Sequence, residues 1–129
     1  MIATLTGQLK IKLNNQIVID VNGVGYCLQV SKNTLDNIGG VDEPVILNTD
    51  LQVRDDSILL YGFKFQSELN MFKLLQSIQG IGPRAALAVL SALTVEQIII
   101  AIKSSDKSAF QKADGLSLIH ISEPTRHRL

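Results

Sequence analysis

The chain has 129 residues, is 46% hydrophobic and carries a formal net charge of zero at neutral pH. This composition is ordinary for a globular protein of one domain or two small ones, and it lacks the basic excess that nucleic-acid binders commonly carry. A single cysteine, Cys27, excludes an internal disulfide and a cysteine-based metal cluster, and the apolar runs are too short to span a bilayer. With no secretory signal visible, we expect a cytoplasmic protein without a cofactor or membrane association.

The first half of the chain has the pattern of short β-strands. Residues 16–21 are rich in β-branched side chains, Asn22-Gly23 is a strong hairpin signal, and residues 24–30 follow as the return strand. Ser31 is suited to cap a short helix that ends before Gly39-Gly40. Alternation along the next strand places five residues on one face: Val45, Leu47, Thr49, Leu51 and Val53. With a further strand at 58–63, five or six short strands predict a small antiparallel β-barrel over residues 1–63, compatible with the oligonucleotide-binding type.

Beyond residue 63 the apolar spacing becomes that of helices. Phe65, Leu69 and Phe72 recur at helical intervals, and Thr94 with Gln97 has the form of a capping box that begins a helix to about residue 103. Another helix is expected from residue 105 or 106 through 113. These patterns predict an all-α domain over residues 64–115. Four aromatic residues are predicted to lie in the core: Phe63, Phe65, Phe72 and Phe110.

The most informative segment of the helical half is Gly80-Ile81-Gly82-Pro83-Arg84. The glycines can adopt backbone angles closed to other residues, and proline suits the first turn of a helix. We expect free N–H groups of Gly80, Ile81 and Gly82 to converge on one point at a helix N-terminus. Phosphate binds at such positions, with Arg84 as a cation within reach. The pattern resembles the helix-hairpin-helix, a module that contacts the DNA backbone without reading bases. An ordinary helix–helix turn without a ligand is the alternative.

Residues 109–115 have the form of the approach to a second copy of this hairpin. Lys112 precedes it and is a candidate phosphate contact; a lone surface lysine without a specific role is the alternative.

Four motifs, in order across residues 1–115, connect the chain to a known family. They are Met1-Ile2 with Leu5-x-Gly7, Val21-x-Gly23-Val24-Gly25-Tyr26, Val53-Arg54-Asp55-Asp56-x-x-Leu59-Leu60-Tyr61-Gly62-Phe63, and Gly80-Ile81-Gly82-Pro83. Together they resemble the RuvA family, the DNA-binding subunits of bacterial RuvAB branch-migration complexes. The resemblance implies a β-barrel of oligonucleotide-binding type, then an all-α helix-hairpin-helix domain with two hairpins. It also implies a homotetramer that holds four-way (Holliday) junction DNA in recombination, DNA repair and the SOS response to DNA damage.

The resemblance also implies roles for residues and partners. Acidic residues that match Asp55 and Asp56 form a pin at the centre of the junction, where their charge repels phosphates over roughly a Debye length, about 8–10 Å. Locally, residues 54–57 are a solvated turn, and Arg54 is either a DNA contact or the counter-charge of the acidic pair. The expected partners are the RuvB motor, through a C-terminal domain that we expect this chain to lack, and the RuvC resolvase. The subunit itself is expected to be non-catalytic within an ATP-dependent helicase complex.

The family pattern ends abruptly after Gly115. Residues 116–126 look like an in-frame translation of a transposase adapter used in preparing sequencing libraries, and Pro124 would break a helix there. We interpret residues 116–129 as a non-native tail that truncates the second hairpin.

Two other functions are compatible with parts of the sequence. A helix-hairpin-helix DNA glycosylase or lyase is the main alternative. It needs an activated lysine or a carboxylate after the hairpin helix, and residues 85–93 contain neither. A single-strand-binding barrel would need exposed aromatic residues interleaved with basic ones, and no such run is evident. No phosphate-binding loop of the ATPase type is present, so energy must come from a partner.

Overall fold

The computed structural model describes residues 1–104, which form five strands and four helices. The strands are β1 (Thr4–Lys12), β2 (Gln16–Val21), β3 (Val24–Val30), β4 (Pro44–Val53) and β5 (Ile58–Phe63). The helices are α1 (Lys32–Asn37), α2 (Gln66–Gln76), α3 (Pro83–Ala92) and α4 (Val95–Ser104). The chain divides into two compact units, the first of which is Met1–Leu69 and the second of which begins at Asn70.

The five strands close into a barrel in the order β1-β2-β3-β5-β4. The predicted barrel followed by helices is therefore confirmed. One feature of the prediction is wrong, because β3 and β5 pair in parallel, with Gln29 opposite Tyr61 and Val30 opposite Gly62. The chain passes through α1 and β4 before it reaches β5, so β5 closes the barrel in the same direction as β3.

The predicted hairpin between β2 and β3 is confirmed by its backbone. Asn22 and Gly23 have φ angles of 52° and 90°, the left-handed pair that a two-residue hairpin requires. The Gly23 N–H also donates a hydrogen bond of 2.9 Å to Asp20 Oδ1, which holds the turn closed.

Alternate residues of the strands fill the barrel, and Leu35 of α1 and Ile38, which follows the helix, add two apolar side chains to the same core. The buried cluster comprises Leu5, Leu9, Ile17, Ile19, Leu28, Val30, Leu35, Ile38, Val45, Leu47 and Leu60. The predicted face of β4 is buried only as far as Thr49; Leu51 is half-buried and Val53 is 67% exposed. The neighbouring strand β5 is also exposed at this end, since Ile58 is 70% exposed. The last residue pairs of β4 and β5 therefore extend past the packed core as an exposed ribbon.

Helices α1 and α4 are capped by the residues that the sequence predicts. Ser31 caps α1 by accepting a hydrogen bond from the Thr34 N–H. Thr94 and Gln97 form the predicted capping box at α4, with reciprocal bonds of 2.9 and 3.2 Å between each backbone N–H and the other side chain.

Phe65 departs from the predicted helical core. Its side chain is 45% exposed, and its carbonyl accepts the Glu68 and Leu69 amides, so it precedes α2 as a cap. Phe65 thus lies in the connection between β5 and α2, and its half-exposed ring is not part of the core. Phe63 and Phe72 are fully buried, as predicted, while Phe110 and the helix expected through residue 113 lie outside the described residues.

No single helix within residues 1–104 is long and apolar enough to cross a membrane. Helices α3 and α4 reach that length and composition only when taken together, and they are bent by 103° from each other.

Candidate nucleic-acid interface

A tight bend joins α2 to α3 and lies in the second unit. After α2 the Ser77 and Ile78 amides still bond to carbonyls three residues back, which continues the helical turn. Gly80, with φ at 90°, then reverses the chain in a conformation that strains any residue with a side chain. Gly82 is extended and serves as the N-cap of α3, and Pro83 opens the helix.

Ile81 anchors this bend and is not one of its free donors. Its side chain is only 5% exposed, and its N–H donates a hydrogen bond of 3.1 Å to the Ile78 carbonyl. The expectation of three free amides is therefore wrong for Ile81. The backbone folds back on itself here because the apolar side chain points inward, which turns its amide toward the preceding turn.

The two glycines on either side remain open to solvent. Gly80 and Gly82 are exposed, and within residues 1–104 neither amide has a hydrogen-bond acceptor. The Arg84 amide in the first turn of α3 also lacks an intrahelical acceptor by position, and no side chain caps the helix. The partial positive charge of the helix N-terminus is thus presented to solvent, and the exposed Arg84 side chain adds a full charge to it. Such an arrangement binds an anion through main-chain N–H groups.

Gly82 is a glycine that the chain's own packing does not require. Apart from Gly82 and its two chain neighbours, no atom of residues 1–104 lies within 4 Å of a Cβ built on it, and its φ of −91° is open to every residue. The space that a side chain would occupy here is therefore open within the described part of the chain.

A second exposed site of opposite charge lies in the first unit, at the end of the β4–β5 ribbon. The Arg54 N–H donates a hydrogen bond of 2.8 Å to the Ser57 carbonyl, so Asp55 and Asp56 occupy the tip of a tight turn. Both carboxylates and Arg54 are exposed. Lys10 pairs with Asp42 at 3.0 Å, whereas within residues 1–104 no ion pair includes Arg54, Asp55 or Asp56. Arg54 therefore does not hold either aspartate in an ion pair.

The remaining predicted contact, Lys112, lies outside the described residues. Within residues 1–104, no group of histidine, cysteine, aspartate and glutamate is placed to hold a metal ion. The first acid after the bend, Glu96, is exposed in the first turn of α4.

Comparison with known proteins gives matches to both halves of the chain. Residues 1–62 match the family described as RuvA N terminal domain, and residues 72–119 match the SAM-like helix-hairpin-helix tandem. The chain is 45% identical to the Holliday junction branch migration complex subunit RuvA of Zymomonas mobilis, over 116 residues that make up 90% of this chain and 54% of the relative.

Two further proteins of the same name, from Acetivibrio thermocellus and Methylocella silvestris, are 41% and 40% identical over 116 residues. These matches again cover 90% of this chain, and 57% and 56% of the relatives. The chain thus spans about half the length of the curated relatives it matches.

Replacement of Gly82 by alanine is expected to separate folding from binding. The unfolding free energy should change by less than about 1 kcal/mol, since a stiffer unfolded chain offsets a poorer N-cap. Affinity for a short DNA duplex should fall about tenfold, because the methyl group occupies the space that a phosphate oxygen needs. Urea unfolding and fluorescence anisotropy measure the two quantities.

Gly25→Ala is the matched control for this substitution, since Gly25 is an exposed barrel glycine whose added Cβ would lie 3.4 Å from Val18. Its DNA affinity should stay unchanged. Full DNA affinity of Gly82→Ala would show that no phosphate approaches the bend.

Proposed function

We propose that the chain is a subunit of the RuvA family that binds four-way DNA junctions through their phosphate backbones, as a non-catalytic scaffold for branch migration. The observation that carries the proposal is the exposed bend before α3. There the free amides of Gly80 and Gly82, the N-terminus of α3 and Arg84 come from five consecutive residues.

This bend suits recognition of DNA structure and not of base sequence. Main-chain N–H groups and an arginine contact phosphate oxygens, which are the same at every base pair. The long polar side chains at the bend are the exposed Gln79 and Arg84, while the amides that face solvent belong to glycines. Binding through the bend therefore positions a duplex arm without selecting its sequence. The formal net charge of zero leaves affinity to this local site and to the number of copies that bind at once.

The acidic turn at Asp55 and Asp56 supplies the selectivity for a junction in this proposal. Two exposed carboxylates at the end of a projecting ribbon repel phosphates within about a Debye length. A continuous duplex gains nothing from such a group, whereas an open crossover has room for it between the separated strands. Arg54, which forms no ion pair with either aspartate, is available for a phosphate beside this opening.

A junction has four arms and one bend binds one arm, so the proposal includes a homotetramer. Fourfold assembly would bring four acidic turns to the crossover and direct four bends to the arms. The relatives are named as subunits of a branch migration complex, which supports an ATP-driven partner for the whole protein. We propose the RuvB motor and the RuvC resolvase as partners, in the cytoplasm.

The affinity for DNA is expected to depend on the structure of the DNA and on the salt concentration. The chain should bind a four-way junction more tightly than the duplex made from its arms, and single strands least. Since each neutralised phosphate releases counterions, Arg84→Gln should reduce the slope of log affinity against log salt by about one per subunit. Lys103→Gln, an exposed lysine at the end of α4, should leave the slope unchanged.

Electrophoretic mobility shifts at several salt concentrations test this with junctions of two unrelated sequences. Preference for one base sequence over junction shape would contradict the proposal. Release of a damaged base from duplex DNA would instead favour the glycosylase alternative.

The acidic turn is testable by removing its charge without changing its shape. Asp55→Asn and Asp56→Asn should each raise duplex affinity about twofold or more by removing repulsion, and raise junction affinity less, so that the preference for the junction falls. Asp36→Asn, which removes an exposed charge from α1, is the matched control. Isothermal titration with both DNA substrates measures these changes. Equal gains on duplex and junction would mean that the turn acts only through total charge.

A further inference from the structure

A buried carboxyl group lies in the first unit. The side chain of Glu68, in the first turn of α2, is 1% exposed and forms no ion pair with any described residue. Two buried hydroxyl groups bond to it instead. Ser31 Oγ donates to Oε2 at 2.5 Å, and Thr34 Oγ1 donates to Oε1 at 2.6 Å.

The same hydroxyl groups also accept backbone hydrogen bonds. Ser31 Oγ accepts the Thr34 N–H at 3.1 Å, which caps α1. Thr34 Oγ1 accepts the Lys64 N–H at 3.2 Å, in the connection between β5 and α2. Because each hydroxyl oxygen accepts an N–H, its own proton is directed at Glu68. The network therefore joins the start of α1, the connection after β5 and the first turn of α2.

A buried polar network of this kind places stricter requirements on its neighbours than apolar packing does. A buried carboxyl group costs free energy unless its oxygens are satisfied, and an apolar side chain would fill the space with less constraint. The network in turn fixes the relative positions of the residues that it joins, since hydrogen bonds between fixed partners tolerate little displacement. Helix α2 runs without a break from Gln66 to Gln76 and so continues from the first unit into the second. Because α2 is one continuous helix, the orientation of its first turn also sets the direction of its last turn, which leads to the Gly80 bend.

We propose that Glu68 is a positioning residue for junction binding. Through Ser31 and Thr34 it fixes the first turn of α2 on the barrel, and thereby the direction in which the helix leaves toward the phosphate-binding bend. The inference rests on the proposed function, since it concerns the acidic turn and the bend acting on one junction. A junction tolerates the repulsive acidic turn only when the turn lies in the opening between the strands while the bend binds an arm. Loss of the network should therefore weaken junction binding and spare binding of a single duplex by the bend.

Thr34→Val and Thr34→Ser form a matched pair for the test. Valine keeps the shape of threonine but removes the bonds to Glu68 and Lys64, whereas serine keeps the hydroxyl group. Spin labels on Cys27, the exposed cysteine of β3, and on a Ser67→Cys substitution report the position of the first turn of α2 on the barrel. Pulsed dipolar spectroscopy then gives the distance distribution, in samples that circular dichroism shows to be folded.

In Thr34→Val the distance distribution should broaden, and junction affinity should fall about tenfold while duplex affinity changes less than about twofold. Thr34→Ser should restore both readouts. If Thr34→Val does not fold, Glu68→Gln replaces it, because the amide leaves one of the two hydroxyl protons without an acceptor. For either variant, an unchanged distribution or an unchanged ratio of junction to duplex affinity would overturn the inference. A lack of junction preference in the unsubstituted chain would instead contradict the proposed function, and the distance measurement would still decide whether the network positions α2.

Discussion

The interface proposed for DNA depends on one backbone constraint, a reversal of the chain between two helices within a few residues. Gly80 makes the reversal possible because its φ of 90° is strained for residues with a side chain. Ile81 fixes the reversal by burying its side chain and bonding its amide to Ile78. The consequence is that α3 begins without a side-chain cap, so first-turn donors that a cap often satisfies in other helices face solvent.

In the proposed function, the attraction and the repulsion of DNA come from different residues. Attraction comes from main-chain amides and one arginine at the bend, which add little net charge and select no base. Repulsion comes from two carboxylates at the end of an exposed ribbon of the barrel. The bend alone does not distinguish a junction from a duplex, since it binds any phosphate. In the proposed function the selectivity comes from the acidic turn, which has room in an open crossover and not on a continuous duplex, so that a chain of zero net charge would favour one DNA structure.

The sequence predicts local structure correctly where a residue type favours only a few backbone conformations or positions. The Asn22-Gly23 turn, the Ser31 cap, the Thr94 capping box and the barrel followed by helices were all predicted from such residues. Partners distant along the chain could not be predicted. The parallel closure of β3 on β5 depends on the path between them, and the bonded state of the Ile81 amide depends on where its side chain packs. The Glu68 network was missed because its hydroxyl partners lie 37 and 34 residues away, and a glutamate in a first helical turn is normally exposed.

Amide hydrogen exchange with and without a four-way junction tests the central claim most directly. The account predicts that the Ile81 amide is protected in the free chain, whereas the Gly80 and Gly82 amides exchange fast and become protected only in the complex. Protection of both glycine amides in the free chain would contradict it. Fast exchange of these amides in a saturated complex would contradict it equally, because DNA would then be bound without the bend.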